Sequence, residues 1–239
     1  MSVSEDHAQR CRLVAAEGVI FDIDGTLIDT REAHLQAWEE ALASYGHQVP
    51  REKLEALFGQ HSSRWPPALL PPRVVARIAD ELIRRKDEIF AARLPSMLPF
   101  PGARELLADL HAAGKRLALA TGATWHEMQI HLDILDARPF IEVAVYDTEV
   151  KRGKPDPETY RLAMQRLGTD PALTVAVGDS IYDVQSALGA GVGSVICVQT
   201  GGFTPQTLTA AGACEVYPDV ASLRRTFLAD LAASPSPLG

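Results

Sequence analysis

Apolar residues along this chain form short continuous runs, separated by longer stretches in which they recur at helical spacing. The short runs predict buried strands at 19–21, 116–120, 141–145, 174–177 and 194–198, and a short edge strand at 215–217. Recurrence every three or four residues predicts helices at 31–45, 50–58, 72–94, 104–113, 125–135, 157–167, 181–190, 205–211 and 222–231. Strands that alternate with helices predict the α/β class, with a doubly wound parallel sheet and right-handed crossovers.

One stretch interrupts this alternation. From 30 to 98 the sequence carries only helical patterns, whereas the later crossovers between strands hold a single helix each. We therefore predict two units: an α/β core formed by 1–29 and 99–239, and an all-helical domain, 30–98, inserted into it. The candidate hinges are the Asp29-Thr30 side and the Pro-Phe-Pro-Gly connection at 99–102, where proline stiffens the chain and glycine turns it.

The first predicted strand ends abruptly in acidic residues. Asp22 and Asp24 follow the run 19–21, and Gly25 lets the chain leave strand geometry, so that both carboxylates can approach one small volume. Two carboxylates that close repel each other unless a cation lies beside them, so the pair predicts a divalent ion with oxygen ligands. The alternative is that aspartate and glycine merely end the strand and begin a turn.

Polar residues also follow later strands. Thr121 and Gly122 open a helix, where they offer a hydroxyl and backbone N–H groups to a phosphate, or simply cap the helix. Lys154 stands in a cation-rich loop that could equally be a solvated surface run. Asp179 and Asp183, spaced i and i+4 at a helix entrance, add carboxylates that suit a metal ion or a helix cap.

Composition and charge narrow the choice of partners. The chain has 239 residues, a formal net charge of −8 and no basic stripe, which argues against nucleic acid as the main partner. No apolar run is long enough to span a membrane, and 1–17 lacks the apolar core of an export signal. Cys11, Cys197 and Cys214 are odd in number and widely separated, so we predict neither a disulfide framework nor a zinc site, and expect a cytoplasmic protein.

Taken in order, the four polar segments resemble the motifs of the haloacid dehalogenase-like (HAD) hydrolases, over about residues 18–220. They read Asp-Ile-Asp-Gly-Thr from Asp22, Thr-Gly from Thr121, Gly-Lys-Pro-Asp-Pro around Lys154 and Gly-Asp-Ser-Ile-Tyr-Asp from 178. The resemblance implies a HAD-like Rossmannoid core with a helical cap at 30–98. Such a cap lies between the first and second motifs, closes over the site and reads the substrate.

The same resemblance implies roles for individual residues. Asp22 is the nucleophile that forms an aspartyl-phosphate, and Asp24 is the general acid and base. The implied phosphate-binding residues are Thr121, Gly122 and Lys154, although many relatives have asparagine where this chain has glycine. The implied cofactor is Mg²⁺, and its ligands would be Asp22, the backbone carbonyl of Asp24, Asp179 and, directly or through water, Asp183.

A loop within the helical insertion, 59–64, lies where such caps place a specificity loop. We therefore predict that His61 and Arg64 contact the substrate, the alternative being an ordinary polar loop. Trp65, which two prolines follow, is expected to pack inside the insertion. Mutases of the family resemble Gly-x-Ser-Arg at this loop, whereas this chain has Gly-Gln-His-Ser, which favours a hydrolase.

The predicted function is that of a Mg²⁺-dependent phosphatase acting on a small phosphorylated metabolite, of the phosphoglycolate or sugar phosphate type, as a monomer or homodimer. A phosphosugar mutase of the β-phosphoglucomutase type is the first alternative, because it resembles this pattern in both aspartates. A non-catalytic phospho-aspartate receiver is less favoured, since it is expected to have neither a cap nor an acid such as Asp24. A dehalogenase is also less favoured, because displacement of halide requires no proton from that position.

Overall fold

The structure, a computed structural model, describes residues 13–234. Its centre is a six-stranded sheet formed by β1 Gly18–Phe21, β2 Arg116–Ala120, β3 Val143–Val145, β4 Thr174–Gly178, β5 Ser194–Val198 and β6 Glu215–Tyr217. The strand order is β3-β2-β1-β4-β5-β6, and every neighbouring pair is parallel. The predicted α/β class with a doubly wound parallel sheet is therefore confirmed.

Helices connect these strands and form the insertion. Within residues 13–234 they are α1 Arg31–Ser44, α2 Arg51–Glu55, α3 Trp65–Leu69, α4 Pro72–Ala91, α5 Ala103–Ala112, α6 Trp125–Ile134, α7 Glu158–Leu167, α8 Ile181–Ala190, α9 Pro205–Ala211 and α10 Val220–Ala233. Short 3-10 turns include Ser62–Arg64, Asp147–Glu149 and Gln199–Gly201. All nine predicted helices are present, and most of their ends lie within a few residues of the predicted positions.

The insertion departs from the prediction in one region. The helix predicted at 50–58 ends at Glu55, and α3 is not signalled by the apolar pattern, because five residues are too few to show a helical period. Prolines occupy its first turn, where a backbone N–H has no partner within the helix. Trp65 packs as expected: its ring stacks on that of Trp38 with a centroid distance of 4.7 Å.

Strand register determines which residues meet at the edge of the sheet. Phe21 at the end of the central strand β1 is level with Leu119 of β2 and with Val177 of β4. The residues that follow these three strands therefore leave the sheet side by side, at its carboxyl edge, where ligands of parallel sheets bind.

Separate clusters of buried side chains cover the sheet and the insertion. Ile20 and Phe21 point to opposite faces, so they belong to the two clusters that pack helices on either side of the sheet. A further cluster, which includes Leu35, Trp38 and Leu82, lies within the insertion. We call residues 30–98 the cap. Its own core supports the division into cap and α/β core, which stays a prediction.

The cysteine prediction needs a correction. Cys197 is free and buried, whereas Cys214 is disulfide-bonded, which the wide spacing of the cysteines did not predict because distance along the chain does not report distance in the fold. Cys11 and most of the 1–17 segment lie outside the described residues. Between residues 13 and 234 no helix combines the length and apolar composition needed to cross a membrane.

Candidate active site

The predicted site residues of the core meet at the carboxyl edge of the sheet. Asp22 follows β1, Thr121 follows β2 and Asp179 follows β4, while Lys154 reaches the same place from the loop after β3. The relative exposure of these four residues is between 0% and 5%. The fold thus brings together polar groups that lie far apart in the sequence. Asp22 and Asp179, for example, are 157 positions apart.

Lys154 connects two buried carboxylates. Its Nζ lies 2.5 Å from Oδ1 of Asp22 and 2.7 Å from Oδ1 of Asp183. Burial opposes its charge, but the two carboxylates outweigh burial and raise the pKa of Lys154, so it stays an ammonium. Burial, together with the charges of Asp183 and Asp24, raises the pKa of Asp22 in spite of the lysine. One ammonium does not compensate all the carboxylates around it.

Asp183 is held by many hydrogen bonds. Its Oδ1 accepts from the hydroxyl of Tyr160 at 3.0 Å as well as from Lys154, and its Oδ2 accepts from the backbone N–H and hydroxyl of Ser180. Burial raises its pKa, but Lys154 and these hydrogen bonds lower it overall. Asp183 therefore anchors Lys154 and completes a capping box with Ser180 at the start of α8, while its role at a metal site stays a prediction.

Asp179 is less well compensated. Its Oδ1 accepts a hydrogen bond of 3.2 Å from Thr26, whereas its buried Oδ2 has no hydrogen-bond partner within residues 13–234. Burial and the charges of Asp183 and Asp22 raise its pKa well above the usual range. Gly25 and Gly201 approach this free oxygen so closely that a Cβ on either would collide with it.

The arrangement of these carboxylates fits a divalent cation. Asp22, Asp179 and Asp183 offer oxygen atoms within 4.8 Å of one another. Hard divalent ions such as Mg²⁺ and Ca²⁺ prefer carboxylate oxygens, and a positive charge here would satisfy the free oxygen of Asp179. The acidic cluster therefore suits metal binding.

Asp24 lies between two imidazoles, one from the cap and one from the core. Its Oδ1 is 3.2 Å from Nε2 of His34 in α1 and 3.7 Å from Nε2 of His131 in α6, yet it has no hydrogen bond of good geometry within the described part of the chain. Burial opposes ionisation, but His131 and His34 outweigh it and hold the pKa of Asp24 well below its usual range. Asp24 is therefore held as a carboxylate, and its Oδ1 is free to accept a hydrogen bond.

Thr121 and Gly122 form a turn that opens onto the pocket. The hydroxyl of Thr121 accepts a hydrogen bond of 3.0 Å from the backbone N–H of Ala123. Gly122 is exposed, and a Cβ there would meet nothing within 4 Å. Thr124 then caps α6 in a capping box with Glu127. This turn presents backbone to the pocket beside Asp22, as a phosphate-binding loop requires.

A pocket with a cavity volume of about 140 Å³ separates the core from the cap. The core lines it with residues that include Asp22, Asp24, Thr121, Gly122 and Lys154, and the cap lines it with residues that include His34, His61 and Lys86. A cavity of this size suits a small metabolite rather than a polymer.

The two cap residues predicted to contact substrate occupy different places. The ring of His61 lines the pocket and bonds to Asp147 of the core, and its backbone N–H donates to the carbonyl of Lys154 at 3.1 Å. Arg64 is exposed at the end of the 3-10 turn and is absent from the residues described as lining the pocket. The structure brings His61 to the site and leaves Arg64 outside it.

Sequence reasoning missed four residues that line the pocket, namely His34, Lys86, Glu127 and Asp147, and also His131, which lies beside Asp24. For Lys86 a signal existed, since it lies four residues after Leu82 and four before Phe90, on the buried face of α4. Its ammonium lies 5.0 Å from the ring centroid of Phe90. The others carried no comparable signal.

Comparison with known proteins identifies the family. The sequence model of the haloacid dehalogenase-like hydrolases matches residues 19–197. The chain belongs to this family. The matched region begins at β1 and ends in β5, so it contains all the sheet-edge residues of the site.

Individual HAD relatives cover most of the chain. It is 32% identical to a phosphorylated carbohydrates phosphatase of Thermotoga maritima over 180 residues, 74% of this chain and 82% of the relative. It is also 32% identical to the fructose-1-phosphate phosphatase YqaB of Escherichia coli over 186 residues, 74% of this chain and 94% of the relative. The crystal structure of CbbY from Rhodobacter sphaeroides in complex with phosphate superimposes with a TM-score of 0.71 at 28% identity, covering 87% of this chain and 96% of that one.

These comparisons confirm the HAD family predicted from the four motifs, and with it the prediction of a phosphoric monoester hydrolase. The residue roles carried over from the motifs stay predictions.

If the carboxylate cluster binds Mg²⁺, added MgCl₂ should raise the midpoint of thermal unfolding. A ligand bound only by the folded state stabilises it by about 2.7 kcal/mol at a hundredfold excess over Kd. Asp179→Asn should unfold at a higher temperature without metal, because it removes an uncompensated buried charge, and should lose the response to MgCl₂. A wild-type midpoint that stays constant up to millimolar MgCl₂ would contradict the metal site.

The positions of His61 and Arg64 give a matched pair of variants. His61→Ala should lower kcat/KM for a sugar monophosphate about tenfold, because a hydrogen bond to the charged Asp147 is lost. Arg64→Ala should change the same kcat/KM by less than about twofold, because substitutions of exposed residues usually have small effects. Steady-state kinetics with p-nitrophenyl phosphate should show a smaller effect of His61→Ala. Equal losses in both variants would count against a role for this contact.

Proposed function

We propose that the protein is a Mg²⁺-dependent phosphatase that hydrolyses a small phosphorylated metabolite, of the phosphoglycolate or sugar phosphate type, through an aspartyl-phosphate. The observation that carries the proposal is the pairing of Asp22 with Lys154 at the carboxyl edge of the sheet, with Asp24 two residues further on and facing the same pocket. This arrangement offers a nucleophile, a cation and a proton carrier to one phosphate ester.

In the first step Asp22 attacks phosphorus, a carboxylate–phosphorus bond forms, and the bond from phosphorus to the leaving oxygen breaks. Lys154 neutralises charge on the nucleophile and on the phosphoryl oxygens. Thr121 and the backbone at Gly122 hold those oxygens from the other side. Burial of Asp22 and Lys154 strengthens these interactions, because little water screens them.

Asp24 moves the proton in both steps. It protonates the leaving oxygen, and then removes a proton from the water that hydrolyses the aspartyl-phosphate. His34 and His131 favour its carboxylate form, which suits the second step. The negative charge of a bound phosphate ester raises the pKa of a neighbouring carboxyl group, which favours the protonated form needed in the first step.

Mg²⁺ would be held by Asp22, the backbone carbonyl of Asp24, Asp179 and, directly or through water, Asp183. When bound, it supplies positive charge to the phosphoryl oxygens. The free Oδ2 of Asp179 and the raised pKa of Asp22 support this assignment.

We further propose that the cap, residues 30–98, moves as a body about its connections near Asp29 and at 99–102. The pocket lies between cap and core, so substrate entry requires the two to separate. Closure then excludes water from the aspartyl-phosphate and brings His34 next to Asp24.

The central experiment replaces the nucleophile. Asp22→Asn should reduce phosphate release by about 10³-fold or more, the scale of loss expected when a covalent nucleophile is removed. Asp29→Asn is the matched control, because Asp29 lies on the same segment but is exposed, and its activity should stay near that of the wild type. Circular dichroism should show that both variants fold. Hydrolysis by Asp22→Asn at the wild-type rate would rule out the mechanism.

The variant Asp24→Asn tests whether Asp24 acts as the general acid. The variant should lose about 10²- to 10⁴-fold in kcat/KM with an alkyl phosphate, the range expected for general acid–base catalysis. The loss should be much smaller with p-nitrophenyl phosphate, whose leaving group needs no proton. Equal losses with both esters would indicate that Asp24 is only structural.

A further inference from the structure

Two carboxylates, Asp87 of cap helix α4 and Glu127 of core helix α6, face each other across the boundary between cap and core. Both line the active-site pocket. Both also line a second, open cavity between the same two helices. They therefore stand at the outer end of the pocket, where the part of a substrate that carries no reacting phosphate would lie.

Glu127 is fixed in place and keeps one oxygen available. Its relative exposure is 5%, and its Oε2 accepts a hydrogen bond of 2.7 Å from the backbone N–H of Thr124 in the capping box. In residues 13–234 its carboxylate makes no other hydrogen bond at its acceptor oxygens. Its Oε1 is not among the fully buried polar atoms that lack a partner, so it is open to the pocket, where a ligand hydroxyl can donate to it.

Asp87 is close enough to Glu127 for their charges to interact. Burial raises the pKa of Asp87, Lys86 lowers it, and the charge of Glu127 raises it further. Lys86 Nζ lies 3.1 Å from Oδ1 of Asp87 and is itself buried against aromatic rings. The second cavity is lined by the carboxylates of Asp80, Asp87, Glu88 and Glu127 and by the guanidinium of Arg84. Even with Lys86 counted, carboxylates outnumber these cations, so this end of the pocket carries a net negative charge.

This charge distribution suits one class of substrate. Carboxylates accept hydrogen bonds from hydroxyl groups, whereas a second phosphate or a carboxylate on the substrate would be repelled by them. We infer that Asp87 and Glu127 bind the hydroxyl groups of a neutral polyol and select its monophosphate ester over substrates with a second anionic group. The inference rests on the proposed phosphatase function and names its substrate class.

The experiment compares phosphate esters with and without a second anionic group, and two of them share the glucose skeleton. Initial rates of phosphate release are measured with glucose 6-phosphate, glucose 1,6-bisphosphate, phosphoglycolate and p-nitrophenyl phosphate. We expect the wild-type kcat/KM for the neutral monophosphate to exceed those for the bisphosphate and phosphoglycolate by about tenfold or more, the scale of one hydrogen bond to a charged group.

The variants Asp87→Asn and Glu127→Gln test the two residues. Each should reduce that preference about tenfold, because kcat/KM should fall more for the neutral monophosphate than for p-nitrophenyl phosphate. Glutamine can replace glutamate in a capping box, so Glu127→Gln should keep the start of α6 intact. Glu81→Gln is the matched control, because it removes the same charge from an exposed position of α4 that lines neither cavity, and it should leave the preference unchanged.

The outcomes separate the inference from the proposed function. If the wild type hydrolyses p-nitrophenyl phosphate but accepts the bisphosphate or phosphoglycolate as readily as the neutral monophosphate, the inference is wrong while the phosphatase proposal stands. An unchanged preference in both pocket variants, or the same change in Glu81→Gln, would also overturn it. Absence of phosphate release from every ester would instead count against the proposed function.

Discussion

The site depends on a charge imbalance that folding creates at one edge of the sheet. Three buried carboxylates offer oxygens within 4.8 Å of one another, and the ammonium of Lys154 contacts two of them. Removing carboxylates from water is costly unless nearby cations and hydrogen bonds offset that cost. Lys154 does so for Asp183 and in part for Asp22, but the buried Oδ2 of Asp179 is left over. The rest of the fold holds these groups together. Their excess negative charge is balanced only when further positive charge binds at this edge of the sheet.

The same imbalance gives aspartates, which are chemically identical, different pKa values and different hydrogen-bond partners. Asp183 accepts from Lys154, Tyr160 and Ser180, so its oxygens are occupied and it serves as an anchor. Asp22 keeps a raised pKa beside the same lysine, so its charge is only partly compensated and further positive charge would stabilise it. Asp24, two residues later, meets imidazoles instead of carboxylates, and its pKa is lowered. Environment, rather than residue type, separates an anchor from a reacting group.

The sheet edge could be predicted from sequence because its geometry follows from strand pairing. Residues that directly follow apolar runs must meet when the strands are parallel and in register, as Asp22, Thr121 and Asp179 do. The helix-borne half of the pocket follows no such rule. Helical spacing marks Leu35 and Trp38 as core residues, but it does not reveal that the neighbouring His34 turns toward Asp24, since that depends on how the cap packs against the core. Glu127 and His131 were missed for the same reason.

The sheet edge and the helix-borne part of the pocket meet at the boundary between cap and core. On one side of it, the ring of His34 stacks on that of Phe90 with a centroid distance of 3.7 Å and reaches Asp24, so the proposed closure of the cap would assemble the surroundings of the proposed proton carrier. On the other side, the proposed closure would bring Asp87 toward Glu127, and their like charges would oppose this approach. A ligand that donates hydrogen bonds to both carboxylates offsets that repulsion, whereas a second anion adds to it. A ligand shifts a conformational equilibrium only by its differential affinity for the two states, so on the proposed mechanism the substrate that relieves this repulsion would favour the closed arrangement.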